Sequence, residues 1–350
     1  MNEDVPDLVK GLRFQAGACR GLGSPLNGDL LDRAAEDWLA AGPVRPLLEP
    51  WAGLDLQGQF DTAVALRLIA SWHELALSGE DAAVSAAYER LGAGAIWTAA
   101  RAAMVSHRDR LAAFMRHEPQ TNEVRRSICL VGGFLEIAKA SGLPLRCFEI
   151  AASAGLNLFW DRYRYQLGGA QWGDPAATVS MDTDWNGPSP PLDASVTVVE
   201  RAACDRRPTD LRDPDQRRRL MAYIWADQPE RLARARAAIE VALANGVEVE
   251  AADAVDWTRA HVAPRAGAAT VLYHSVFWQY MPPESQVALG RLIHDIGAAA
   301  TAEAPFAWLR MEPPVNVPRM EIRLTLWPGG EERVLAEAHP HGAYVRWAAA

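Results

Sequence analysis

The stretch LRCFEIAASAGLNLFWDRY, residues 145–163, decides how the rest of the chain is read. A short apolar run carrying one carboxylate, Glu149, passes through five small residues into a segment with helical spacing. A strand that ends this way lets backbone approach a ligand closely, offers unpaired N–H donors where the helix begins, and leaves a carboxylate for polar ligand groups. The positions concerned are Glu149, Ala151, Ser153, Gly155 and, early in the next segment, Asn157. The competing reading is a tight strand-to-helix turn.

Two rhythms lie on either side of this stretch. Upstream, apolar residues recur three and four positions apart in DLLDRAAEDWLAAG, FDTAVALRLIASWHELALSG and IWTAARAAMVSHRDRLAAFMRH, which predicts helices and no strand before residue 145. Downstream, short apolar runs alternate with helical segments, as in a mostly parallel sheet with crossover helices. The runs are 145–152, 195–202, 247–254, 269–277 and 306–313, with helices predicted over 214–246 and 282–299. EIRLTLW, a PGG turn and ERVLAEAHPHGAYVRW predict an antiparallel terminal hairpin. Residues 166–193, rich in Gly, Pro and Asp, fit neither rhythm and read as a long loop or small β-excursion inserted into the second part. The expected organisation is an all-helical domain over 1–120 and an α/β domain over 121–350.

Composition narrows the partners. With 350 residues, 49% hydrophobic and 23% charged, the chain has the make-up of a folded globular protein. No apolar run approaches the roughly 20 residues of a membrane span, and the acidic start lacks the apolar core of a secretory signal, so the expected location is the cytoplasm. A formal charge of −9 and a pI near 5.5 disfavour nucleic acid and favour a small-molecule substrate. Cys19, Cys129, Cys147 and Cys204 have no paired spacing, so they are expected as reduced, buried thiols, and no metal site is expected. Nothing in the pattern sets an oligomeric state.

The motif resembles the first motif of class I S-adenosylmethionine-dependent methyltransferases, an acidic residue followed by alternating glycines, with Ala151 and Ser153 standing at glycine positions and Gly155 kept. The strand plan resembles the Rossmann-like methyltransferase fold, a mostly parallel sheet closed by an antiparallel hairpin. LRCFEIAASAGLNLFWDRYRY, DPDQRRRLMAYIWADQPERLARARAAIE, LYHSVFWQYMP and PQTNEVRRS are similar to a bacterial family, the domain of unknown function 2332, over nearly the full chain.

The resemblance implies S-adenosylmethionine as cofactor, with Glu149, Ala151, Ser153 and Gly155 around its amino acid part. Asp205, or else Asp182, would hold the ribose, and Asp253 with Ala254 would meet the adenine. His274, Ser275, Trp278, Gln279 and Tyr280 then become the substrate wall, with His274, Gln279 and Tyr280 as catalytic candidates and His274 as a proton acceptor. The alternative for His274 is a histidine satisfied by backbone hydrogen bonds. Trp225, Asp227 and Gln228, at a helix interruption before Pro229, either cap a helix or bind substrate. Gln120, Thr121, Asn122 and Glu123 either start a helix or close over the cofactor.

Two other functions stay open from sequence. A-x-S-x-G at 151–155 is close to a hydrolase nucleophile elbow, with Ser153 as nucleophile and His274 or His339 as its base, although such an elbow normally follows several strands. The two replaced glycines also allow a methyltransferase-like domain that binds or supports without catalysis.

Overall fold

The computed structural model describes residues 5–314, 317 and 319–348. The chain divides into two compact units, one running up to Thr121 and taking in Asp213–Ala233, the other comprising Asn122–Arg212 and the chain from Arg234 onward. The first unit is helical. Its main helices, Asp7–Gly21, Pro25–Leu39, Val64–Ser78 and Ala93–Ser106, bury Leu12, Leu30, Leu31, Leu68, Trp72 and Ile96 in one core. Segment 213–233, expected with the α/β part, joins this unit because helical spacing shows which face of a helix is buried and not which core covers it.

The second unit is built on an eleven-stranded sheet among the described residues. In chain order its strands are β1 (Leu145–Ile150), β2 (Arg164–Leu167), β3 (Ala170–Trp172), β4 (Ser180–Asn186), β5 (Val198–Asp205), β6 (Glu250–Ala251), β7 (Ala269–Ser275), β8 (Phe306–Glu312), β9 (Met320–Trp327), β10 (Glu331–Ala338) and β11 (Tyr344–Trp347). The spatial order is β3-β2-β4-β11-β10-β9-β8-β7-β1-β5-β6. From β6 to β8 every pairing is parallel, whereas β9 and β10 pair antiparallel with their predecessors in the chain. Most pairings are therefore parallel, and the hairpin begins beside β8.

β1 is buried along its whole length, as a parallel strand covered on both faces must be. Alternation sends Phe148 and Ile150 into a core with Leu272, Phe306 and Trp257, and sends Glu149 to the opposite face beside Tyr273. Helix Arg126–Ser141 covers that second face at close range. A methyl group at Gly132 would overlap Trp347, and one at Gly133 would overlap Leu309, which accounts for two adjacent mid-helix glycines that each cost about 1 kcal/mol in helix propensity. The four cysteines are buried free thiols.

Three expectations change in detail. The excursion after β1 forms β2, β3 and β4, and it extends the same sheet by pairing β4 with β11. The expected strand 247–254 shrinks to β6, two exposed residues at the sheet edge paired only with the end of β5. The segment after the small-residue turn is a 3-10 stretch, Leu156–Arg162, kinked at Phe159, because Leu156, Leu158, Phe159 and Trp160 are all buried and leave no solvent face for an amphipathic helix.

Candidate active site at the carboxyl ends of the parallel strands

The chain runs outward from β1 to β5 and β6, then returns to β7 on the other side of β1. Ligands of open α/β sheets bind beyond the carboxyl ends of the strands at such a switch. A cleft of about 230 Å³ lies there, smaller than the roughly 300–1,000 Å³ of enclosed ligand pockets. It is lined by Ala151 after β1, Asp205 and Arg206 at the end of β5, Asp253 and Ala254 after β6, and Tyr280 after β7.

The loop after β1 explains why glycines suit it. Ala151, Ser153 and Gly155 have φ of 56°, 55° and 71°, three alternate residues in the left-handed region. Only Gly155 takes this conformation without penalty, and a Cβ there would also press Val247 and Val249 at 2.9 and 3.0 Å. For Ala151 and Ser153 it costs about 1–2 kcal/mol each. Such strain persists where the surroundings over-determine it. Here Asp205 Oδ2 accepts from Ser153 N (2.9 Å), Cys204 O accepts from Ala152 N (3.0 Å) and Ser153 O accepts from Thr209 N (3.1 Å). Ser153→Gly should raise stability by about 0.5–1 kcal/mol, the relieved strain less the added chain entropy, seen as a higher urea midpoint at unchanged slope.

Glu149 is 3% exposed, and its Oε2 accepts from the Tyr273 hydroxyl at 3.3 Å. Burial pushes its carboxyl up to about 8; the Tyr273 hydrogen bond opposes the rise, Asp205 adds to it and Arg126 opposes it. Two neighbouring polar atoms, Ser153 Oγ and Asn157 Oδ1, are buried with no hydrogen-bond partner. Asn157 Nδ2 donates to Glu123 O (3.2 Å), and Asn122 Oδ1 accepts from Leu156 N (2.9 Å). At the start of the 3-10 stretch, Leu156 N is thus taken by Asn122 and Leu158 N by Gly155 O, which leaves fewer free donors than the sequence reading expects.

Asp205 and Asp253 both serve the backbone. Asp205 accepts from Ser153 N and Arg207 N, one on each oxygen, and an ionised carboxylate retains further lone pairs for a ligand. Asp253 caps helix Ala254–His261 through Oδ1, accepting from Val255 N and Asp256 N, and Oδ2 is not needed for the cap. Asp182 lies on β4, with β11, β10, β9, β8 and β7 between it and β1, and its partner is Arg125. It does not belong to the cleft.

His274 has a different place from the one expected. It is fully buried, and the Trp308 indole, which can only donate, donates to Nε2 at 3.1 Å. The ring proton is therefore on Nδ1, which donates to Glu312 Oε1 at 2.7 Å. Neither nitrogen has a lone pair left for a substrate proton. Glu312 also accepts from Phe277 N, at 3.0 and 3.2 Å to its two oxygens. This knot holds Val276, a β-branched residue at φ 53°, and sets the wall after β7. Trp278 stacks on His274 with centroids 5.7 Å apart, while Gln279 and Tyr280 are exposed, Tyr280 at the cleft.

Trp225, Asp227 and Gln228 belong to the helical unit and support its turns. Asp227 accepts from Ser24 Oγ (2.7 Å) and Leu26 N (3.1 Å), Gln228 donates to Leu22 O (3.2 Å), and Trp225 packs on the helical core. Sequence reading missed Arg206, Phe277, Met281 and Ser285 in the cleft, and Glu312 behind it. Glu312 carried a signal, since it is an acidic residue closing an apolar run, as Glu149 is.

Fold and cleft together define a mixed α/β protein with a mostly parallel sheet and a cleft at its switch point. The chain belongs to the family described as "Uncharacterized protein conserved in bacteria (DUF2332)", whose model matches residues 9–347. No curated protein and no solved structure matches it. Among the described residues no helix is long and apolar enough to cross a membrane, and no cluster of His, Cys, Asp and Glu has the arrangement of a metal site.

Proposed function

We propose that the chain transfers a methyl group from S-adenosylmethionine to a small molecule. The observation that carries this reading is the strand-end cleft itself: the left-handed loop after β1 reaches it at Ala151, and Asp205 at the end of β5 and Asp253 after β6 line it. The buried, unpartnered Ser153 Oγ and Asn157 Oδ1 fit the polar end of such a ligand. Asp205 would hold the ribose hydroxyls, Asp253 and Ala254 would flank the base, and the 151–155 loop with Glu149 would take the amino acid end. The cofactor supplies a methyl group on a positively charged sulfur.

The chain's own contribution is alignment and exclusion of water. Phe277, Tyr280 and Met281 make an apolar lip beside the cleft, and the His274–Glu312 knot keeps that lip in place. Two features depart from the methyltransferase plan: the crossover from β1 to β5 carries three short strands, and the hairpin starts next to β8. A serine-hydrolase role gains no support, because Ser153 Oγ has no hydrogen-bond partner and His274 is fully engaged. Calorimetric titration with S-adenosylhomocysteine tests the proposal: saturable binding that weakens at least tenfold in Asp205→Ala supports it, and no heat at millimolar ligand overturns it.

A further inference from the structure

Resting on the methyl-transfer reading, we propose that His341, oriented by Glu123, accepts the proton that the substrate loses as it is methylated. Glu123 is 4% exposed, and its Oε2 lies 3.6 Å from His341 Nδ1. That nitrogen is buried and makes no hydrogen bond, whereas the side chain as a whole is 38% exposed. The exposed part of the side chain lies away from Nδ1, and we take it to be the edge that carries Nε2. A carboxylate behind one nitrogen and an accessible second nitrogen make a general base, and such contacts are often long until substrate is bound.

The position follows from segment 122–126. Asn122 and Glu123 hold Leu156 and Asn157 of the loop after β1. Arg126 donates through Nε to Pro340 O (3.2 Å) and through Nη1 to Ser275 O (3.5 Å), linking the histidine turn to the end of β7. The turn is braced: His341 N donates to His339 Nδ1 at 3.1 Å, and Gly342, at φ +70°, leaves no room for a side chain against Arg125. One segment therefore carries contacts to the loop after β1, to the carboxyl end of β7 and to the His339–His341 turn. The other two histidines near these strand ends are poorer bases. His274 has both nitrogens occupied, and burial, with His341 and Arg125, disfavours the charged form of His339.

In the step itself, the acceptor heteroatom forms its bond to the methyl carbon as the carbon–sulfur bond breaks and its electron pair goes to sulfur. The acceptor's proton passes to His341 Nε2, and the imidazolium so formed donates through Nδ1 to the Glu123 carboxylate. Charge is conserved, and no further reactant is needed.

The test is nitrogen-15 spectroscopy of the histidine rings in the full chain at pH 8.5, with the His341 resonances identified by their loss in His341→Asn. The expected result is a proton on Nδ1 and a bare Nε2, reverting in Glu123→Gln to the Nε2-protonated form that a free imidazole prefers. Saturating S-adenosylmethionine and S-adenosylhomocysteine should shift the Nε2 resonance differently, because only the first places a positive charge near it. An Nε2-protonated ring in the unaltered chain, or bound cofactors that leave His341 unmoved, would overturn the assignment. Absence of any calorimetric binding would instead strike the methyl-transfer reading on which it rests.

Discussion

Glu149→Gln is expected to be more stable than the unaltered protein at pH 8 and above, by several kcal/mol, and to lose most of the dependence of stability on pH below that. Burial holds the folded-state carboxyl at about 8, against 4.5 for the ordinary side chain. Between those two values the unfolded chain has released its proton and the folded chain has kept it. Stability conferred by the protonated group is therefore complete below about pH 4.5 and is lost as pH rises through the window towards 8. At about 1.4 kcal/mol for each step of pH, the linkage is on the order of 4–5 kcal/mol. Glutamine keeps the shape and an acceptor for Tyr273 without the charge. Urea unfolding of both proteins from pH 5 to pH 9 measures it, and parallel curves for the two would contradict it. The Tyr273 hydroxyl gives the buried group one hydrogen bond to offset its burial.

Glu312→Ala should destabilise by about 3–4 kcal/mol, because it strands two donors, the buried His274 Nδ1–H and the half-buried Phe277 N–H, at about 1–3 kcal/mol each. Glu312→Gln keeps one acceptor and should fall between. The same change frees the turn at Val276, so ligand affinity should drop along with stability. A loss under 1 kcal/mol would show that the knot is not what holds the wall after β7.

The parts of this structure that sequence disclosed are those where a local pattern has one physical outcome. An apolar run ending in Glu149 and five small residues can only be a buried strand entering a sharp turn, and it is β1. The runs at 269–277 and 306–313, and the hairpin around PGG, follow for the same reason. Where partners lie far apart in sequence, pattern is silent. His274 looked like a base because Trp308 and Glu312, which occupy its nitrogens, are more than thirty residues away. Segment 213–233 shows a helical period but not the core that it joins. Asp227 fits a cap or, less readily, a ligand from sequence, and only the structure shows Ser24 and Leu26 on it. The left-handed backbone at Ala151, Ser153 and Val276 was also hidden, since none is glycine. At the first two, the resemblance to alternating glycines marked the positions without giving their conformation.

The most direct test of a cofactor cleft at these strand ends is thermal unfolding with S-adenosylmethionine, S-adenosylhomocysteine or NAD, on the unaltered chain and on Glu149→Gln. At 100 times its dissociation constant a ligand stabilises the folded state by about 2.7 kcal/mol. A clear upward shift with the first two, none with NAD, and little or none in Glu149→Gln is the predicted result. Because that variant is expected to be the more stable protein, a lost shift reads binding and not unfolding. No shift in the unaltered chain at millimolar S-adenosylmethionine or S-adenosylhomocysteine would contradict the account.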